Sequence, residues 1–310
     1  MSLEAQKPRV SKQTRNWSEY NIGLCDEFRL FDTYLKELIG LIELPEQENR
    51  RGRKSLPLDE VIYATITKVA HQLSSRRGQG VIDADSIGDY NYTATTKFLQ
   101  NPDNSALLRE LLHATAKPLV QIEESFSIDA SGFSTRCYHE WCSEKWGTKR
   151  TRDFVKCHIV TGNKSNIITD AVITDSSVAD TSMFEELLNE TAGTFNVKQF
   201  LADAGYLSNE NYKKVAKIHA DALIMFKKDS GVKGKCNAWR NAFLKFIQTP
   251  DEFYAEYWKR NNVETTFGAI KAKYGETLKS KILSAQINEL YCKLIAYNIS
   301  VIIKFANLIE

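Results

Sequence analysis

The chain has 310 residues, enough for one large domain or two ordinary ones, with 43% hydrophobic and 26% charged residues, an ordinary balance for a globular protein. Its net charge is +2, and the first 120 residues carry 16 basic and 16 acidic side chains, so neither the whole nor its first third is a polybasic tail. Any nucleic-acid contact therefore has to come from local clusters of Lys and Arg.

Six cysteines, Cys25, Cys137, Cys142, Cys157, Cys236 and Cys292, form no CxxC pair, and no secretory apolar segment stands at the N-terminus. Free thiols in a reducing cytoplasm are the expectation, so the protein reads as cytoplasmic. Cys137, Cys142, Cys157 and His158 can be drawn as a zinc site, but their spacing is irregular. The apolar run from Leu294 to Leu308 is interrupted by Asn298, Lys304 and Asn307, and it is shorter than the ~20 residues a bilayer requires. It predicts a packed terminal helix and no membrane association.

Residues 1–18 are polar and aperiodic, as in a flexible arm, and Leu24 to Ile42 has helical spacing. Arg50, Arg51, Arg53 and Lys54 lie in a breaker-rich linker ending at Pro57, suited either to a phosphate contact or to solvation. Ile62, Ile66, Val69 and Leu73 then recur at i, i+4, i+7 and i+11, an amphipathic helix opened by Asp59 and Glu60 and closed by Arg76-Arg77-Gly78. Shorter helices follow at Ala94–Leu99 and Ser105–Leu119. Residues 1–120 thus read as an all-helical domain, a candidate helix-turn-helix for binding DNA ends.

Near residue 125 the period changes to two. Phe126, Ile128 and Ala130 alternate with Ser127 and Asp129, a strand whose polar face carries Asp129. Two more strands are expected at Phe154–Val160 and Ile167–Ile173, joined by the turn Thr161 to Lys164. A helix from Ser182 to Leu188, a strand Val197–Ala202, a helix Asn209–His219 and a strand Ala222–Phe226 come next. Consecutive strands followed by alternating helix and strand describe a mixed α/β sheet over residues 121–310. Tyr138 to Trp146, rich in aromatics and cations, falls in the loop after the first strand, beside the presumed site. Packing and DNA contact are both open to it.

Acidic residues at strand ends carry the chemistry. Asp203 closes the fourth strand, and Gly205 just beyond it allows a tight turn. Two carboxylates from neighbouring strands suit hard divalent cations, which prefer oxygen ligands. As isolated residues both are better explained as strand-end caps. The third group changes that balance. Tyr257, Arg260, Glu264 and Lys271 fall at helical offsets 0, +3, +7 and +14, within an arc of roughly 60° at about 100° per residue. Beside them Val263, Phe267, Ile270 and Tyr274 make an apolar stripe that packs on a sheet. A solvated helix with i,i+4 ion pairs accounts for the charges but not for this grouping.

Tyr257-x2-Arg260-x3-Glu264-x6-Lys271 resembles the Y-R-E-K signature of DDE transposases from bacterial insertion sequences. Ser127-Ile128-Asp129 is similar to the first catalytic strand of that family, and Leu201-Ala202-Asp203-Ala204-Gly205-Tyr206 to the second. Ala296-Tyr297-Asn298 is similar to a motif of the last helix. The resemblance implies a ribonuclease-H-like fold, flanked by helices and preceded by the helical domain. It implies that Asp129, Asp203 and Glu264 bind two Mg²⁺ or Mn²⁺ ions, and that Tyr257, Arg260 and Lys271 hold DNA. It implies cleavage at transposon ends, strand transfer into target DNA, and a homodimer or higher oligomer on DNA. Asp203 and Glu264 lie 61 positions apart (264 − 203), which leaves no room for the β-rich insertion that supplies a base-flipping aromatic in some members. A hairpin-ended intermediate is therefore not implied. Trp239, in that interval, is a candidate to stack on a flipped base, with a place in the core as the favoured alternative. Two other readings share the fold: a domesticated DNA-binding protein without activity, and a nuclease without strand transfer.

Overall fold

A computed structural model describes residues 17–46, 55–84, 91–135 and 154–309. Five helices come first: α1 (Trp17–Gly40), α2 (Leu58–Ala70), α3 (Gln79–Ala84), α4 (Thr93–Gln100) and α5 (Asn104–Ala116). The strands are β1 (Ser125–Ser134), β2 (Phe154–Gly162), β3 (Ile168–Asp175), β4 (Gln199–Ala202) and β5 (Asp221–Ile224). Between and after them lie α6 (Phe184–Thr194), α7 (Asn209–Lys217), α8 (Asn237–Gln248), α9 (Pro250–Tyr257), α10 (Asn261–Tyr274) and α11 (Leu283–Ile309). The arm, the Arg50–Lys54 stretch, and the loop with Tyr138, His139 and Trp146 lie outside the described residues, apart from the arm's last two positions, which begin α1.

The sheet order is β3-β2-β1-β4-β5, with β1, β2 and β3 an antiparallel meander and β4 and β5 parallel to β1. This is the expected ribonuclease-H-like mixed sheet. Phe126, Ser127 and Ile128 are all buried, so the central strand is covered on both faces. α10 packs on β1 and β2, α5 and α11 on β3, α6 on β2 and β3, and α8 on β5. α11 also contacts α1, α2 and α4, and the buried apolar side chains form one cluster.

Local differences from the sequence expectation have physical causes. α2 stops at Ala70 rather than reaching Arg76, because Gln72 takes a left-handed backbone, φ 53°. The Leu73 N–H then closes on the Lys68 carbonyl and the helix ends. β2 runs to Gly162, two residues further than expected, because the Ser125, Ser127 and Glu123 side chains of the β1 side receive the turn that follows.

α11 is held to the sheet edge by Asn298. Its Nδ2 donates to the Ile168 carbonyl (2.8 Å) and to Thr115 Oγ1 (2.7 Å), and its Oδ1 accepts from the Ile168 N–H (2.9 Å). The neighbouring Tyr297 hydroxyl donates to the Asn166 carbonyl (3.2 Å). The Ala-Tyr-Asn motif is therefore a clamp between α11, α5 and the start of β3. Asn298→Ala leaves both backbone groups of the buried Ile168 without that partner. We expect a loss of about 3 kcal/mol in denaturant unfolding; a loss under about 0.5 kcal/mol would remove the clamp from the fold's support.

Candidate active site

Asp129 and Asp203 meet through strand register. β1 and β4 are parallel with Ser127 opposite Leu201. Two residues further along each chain, on the same side of the pleat, come Asp129 and Asp203. Adjacent strands run about 4.8 Å apart, so the register brings the two carboxylates to one level. The main chain of Asp203 stays extended, and its Oδ1 accepts from the Gly205 N–H at 2.8 Å, capping the turn Ala204–Tyr206. A Cβ on Gly205 would come within 2.9 Å of that oxygen, so the glycine is what permits the close turn.

Glu264 arrives on α10. Val263, Phe267, Ile270 and Tyr274 are all buried, as their spacing predicts, and seat the helix on β1 and β2. Glu264 then stands at the margin, 55% exposed. The expected single stripe is broken once: α9 ends at Tyr257, and Trp258–Arg260 form a 3₁₀ turn before α10 starts. A tighter turn advances each residue by about 120° instead of about 100°. Arg260 is thereby directed at the sheet, its side chain 13% exposed. It lies between the acids: it bonds Glu264, and its other terminal nitrogen is 3.7 Å from Asp129 Oδ2. The Tyr257 ring is buried, stacked on Phe253, with the Arg260 guanidinium 5.9 Å from its centre. Lys271 is not part of this contact. Two turns along, its amine sits 5.3 Å over the Phe133 ring and 3.8 Å from Glu276.

Burial pushes the Asp129 carboxyl up to about 6; the Ala130 N–H and Arg260 oppose this, while Asp203 and Glu264 add to it. Burial works against the Arg260 charge, but Tyr257, Glu264 and Asp129 more than offset it and raise its pKa. Among the described residues no three Asp, Glu, His or Cys side chains converge at metal-ligand distance as they stand; the guanidinium takes the position between Asp129 and Glu264.

Other candidates resolve differently. Trp239 is core: it is buried against Tyr212 and Phe226 and donates from Nε1 to the Gly231 carbonyl (2.9 Å). Cys157 and His158 are consecutive on β2 and point to opposite faces, so they do not share one ion; Cys137 and Cys142 lie outside the described residues. Sequence reasoning missed Asn163. Its side chain accepts from Ser127 Oγ (2.6 Å) and donates to Ser125 Oγ (2.9 Å), while its carbonyl accepts from Asn262 Nδ2 (2.6 Å). It ties β1 to α10 two residues before Glu264, and no local spacing announces it.

The Asp129 shift carries a pH signature. In metal-free buffer the folded carboxyl keeps its proton up to about pH 6, against an ordinary value of 3.8. The folded state therefore binds more protons between those values, and its stability falls as pH rises through them, by on the order of 2 kcal/mol. We expect Asp129→Asn to gain on the wild type as pH rises from 4 to 7, read by denaturant unfolding in EDTA. A difference independent of pH would remove the shift.

The chain matches the family model described as Transposase DDE domain over residues 122–299. No curated protein matches it. Among solved structures, the cryo-EM piggyBac transposase synaptic complex with hairpin DNA is similar at 11% identity and a TM-score of 0.39, covering 92% of this chain and 74% of that one. The family match covers more than half of the chain, and the protein belongs to the DDE transposases, metal-dependent enzymes that cut DNA and transfer its strands.

Proposed function

We propose that the protein is a transposase of the Y-R-E-K group of bacterial insertion sequences, in which Asp129, Asp203 and Glu264 hold two Mg²⁺ or Mn²⁺ ions. The observation that supports the reading is the parallel register of β1 and β4, which brings Asp129 and Asp203 to one level, with Glu264 of α10 joined to Asp129 through Arg260. The donor set is all oxygen, as hard divalent cations require. The site also accommodates positive charge already, since Arg260 stands between Asp129 and Glu264. When bound, divalent metal supplies activation of water or a DNA 3′-hydroxyl and stabilisation of the leaving oxygen. Tyr257, Arg260 and Lys271 position the DNA. Arg260 exchanges a carboxylate for a phosphate, with the Tyr257 ring beside its guanidinium.

Asp129→Asn, Asp203→Asn and Glu264→Gln each remove one ligand charge at nearly constant volume. Each should abolish metal-dependent release of 3′-hydroxyl ends from transposon-end DNA while leaving DNA binding intact. Arg260→Ala and Lys271→Ala should instead weaken binding in Ca²⁺, flatten the salt slope by about one unit for each phosphate no longer neutralised, and cost on the order of 100-fold in cleavage rate. Near wild-type cleavage by Glu264→Gln would sink the triad. Unchanged salt slopes would reduce Arg260 to an i,i+4 partner of Glu264, worth about 0.5 kcal/mol or less.

We further infer that residues 1–120 form the unit that reads the transposon ends, leaving residues 121–310 for catalysis on end and target DNA, with two or more copies on the DNA. The helical content of that third supports this reading. The free thiols Cys157 and Cys292 fit action in the cytoplasm. Among the described residues no helix is long and apolar enough to cross a membrane. End DNA with photoreactive bases in its terminal repeat should crosslink mainly within residues 1–120, in a complex whose light-scattering mass exceeds one chain. Crosslinks confined to residues 121–310 would move recognition to the catalytic part.

A further inference from the structure

A cavity of about 370 Å³ opens between the end of α2, α4 and the segment joining α10 to α11. That volume lies within the range of small-ligand sites. Four lysines line it, Lys68, Lys279, Lys281 and Lys293, against one carboxylate, Glu289. Glu289 accepts from the backbone N–H groups of Lys279 (2.9 Å) and Ser280 (2.7 Å) and its charge also acts on Lys68, while the Lys293 amine donates to the Gly275 (2.8 Å) and Thr277 (3.0 Å) carbonyls. Lys68 is 4% exposed, and its amine makes one long hydrogen bond, 3.4 Å to Thr95 Oγ1. An ammonium has three donors, and burying one with a single long hydrogen bond is costly, a cost that Glu289 offsets only in part. Burial accordingly lowers the Lys68 pKa. Lys281 is exposed, and Ser74, Ser75 and Ser280 share the lining.

The backbone here is held in unusual conformations. Gln72 has a left-handed φ of 53° and Gly275 a φ of 83°, and a Cβ on Gly275 would meet Gln72 Oε1 at 3.0 Å. Gln72 Nε2 donates to the Lys273 carbonyl (3.0 Å), and its own carbonyl accepts from the Lys279 amine. A non-glycine residue in that region is strained and persists where its surroundings dictate it. The two turns hold the ends of α2 and α10 together around the lysines.

We propose that this cavity is a phosphate-binding site. Hydrogen bonds from Ser134 N–H to the Glu276 carbonyl (3.2 Å) and from Leu278 N–H to the Ser134 carbonyl (2.8 Å) tie its wall to the far end of β1. Ser134 is five residues beyond Asp129, roughly 17 Å along a strand and about five base pairs of axial rise in a duplex. Lys271 lies between, on α10. The phosphate is therefore that of a DNA strand already crossing the carboxylates, or a free phosphate compound. Only the choice of DNA as its source rests on the transposase reading.

The test uses the full chain. Pyrophosphate is titrated against sodium chloride of equal ionic strength while thermal unfolding is followed, for wild type, Lys68→Met and Lys281→Ala. The wild-type midpoint should rise saturably, and either variant should need at least tenfold more pyrophosphate. Lys281→Ala, at an exposed position, keeps the test valid if Lys68→Met does not fold. The second arm measures duplex DNA binding across a salt series in Ca²⁺. A slope flattened by about one unit in the variants, with pyrophosphate competing against DNA, assigns the site to the DNA backbone. Pyrophosphate binding abolished in the variants with an unchanged DNA slope assigns it to free phosphate. No saturable response in the wild type, or variants that respond as the wild type does, overturns the site. The pyrophosphate arm needs no cleavage, so failure of the catalytic reading leaves its result standing.

Discussion

The side chain and carbonyl of one turn residue, Asn163, hold the candidate site together. Through Ser125 and Ser127 it fixes the β2–β3 turn to the start of β1, and through Asn262 it fixes the first turn of α10 to the same place. Asn163 and Ser127 are buried, so these bonds form away from competing water, and removing either partner would leave a desolvated polar group. The apolar stripe sets which face α10 buries, and polar bonds fix its far end, where the Tyr274 hydroxyl meets the Ala296 carbonyl (2.9 Å) and Ser300 Oγ (2.7 Å). The Asn262 bond fixes the first turn of α10, two residues before Glu264.

Two partly or fully buried aspartates, Asp170 and Asp129, differ in how their charge is met. Asp170 on β3 is fully buried and receives Arg109 through two nitrogens (2.9 and 2.7 Å) and His113 (2.7 Å). Burial would raise its pKa, but these bonds prevail and hold it below the ordinary carboxylate range. It ties α5 to the sheet, and Arg109 reaches on to Glu186 of α6. Asp129 receives only the N–H of its neighbour Ala130 and an arginine at 3.7 Å, and burial wins. A carboxylate left this short of partners beside two others is poised to accept a cation.

The β5 side contributes rigidity through aromatic packing. Phe226 contacts Trp239, Phe243, Phe246 and Phe253, and Phe253 stacks on Tyr257. Offset and edge-to-face ring pairs each add about 0.5–1.5 kcal/mol beyond the area they bury. This cluster explains why Tyr257 and Trp239 are buried, and it anchors the 3₁₀ turn from which Arg260 projects.

Local pattern by itself determined much of this protein. Period two in Phe126 to Ala130 made β1 and placed Asp129 on its polar face; the glycine at 205 marked the turn after Asp203; and the stripe Val263, Phe267, Ile270, Tyr274 chose the buried face of α10. Each depends only on which way neighbouring side chains point, which spacing encodes. Tertiary structure decided the rest. The register of β4 on β1 levels two aspartates 74 positions apart (203 − 129), a pairing set by long-range packing. The 3₁₀ turn at Trp258–Arg260 contains neither proline nor glycine to announce it, and it follows from how the aromatic cluster and α10 seat on the sheet. Asn163, Asn298 and the lysines around the α2–α11 cavity owe their roles to partners far away in the chain. The contacts that satisfy a buried polar group are selected by the assembled fold, and a linear spacing of residues carries no record of them.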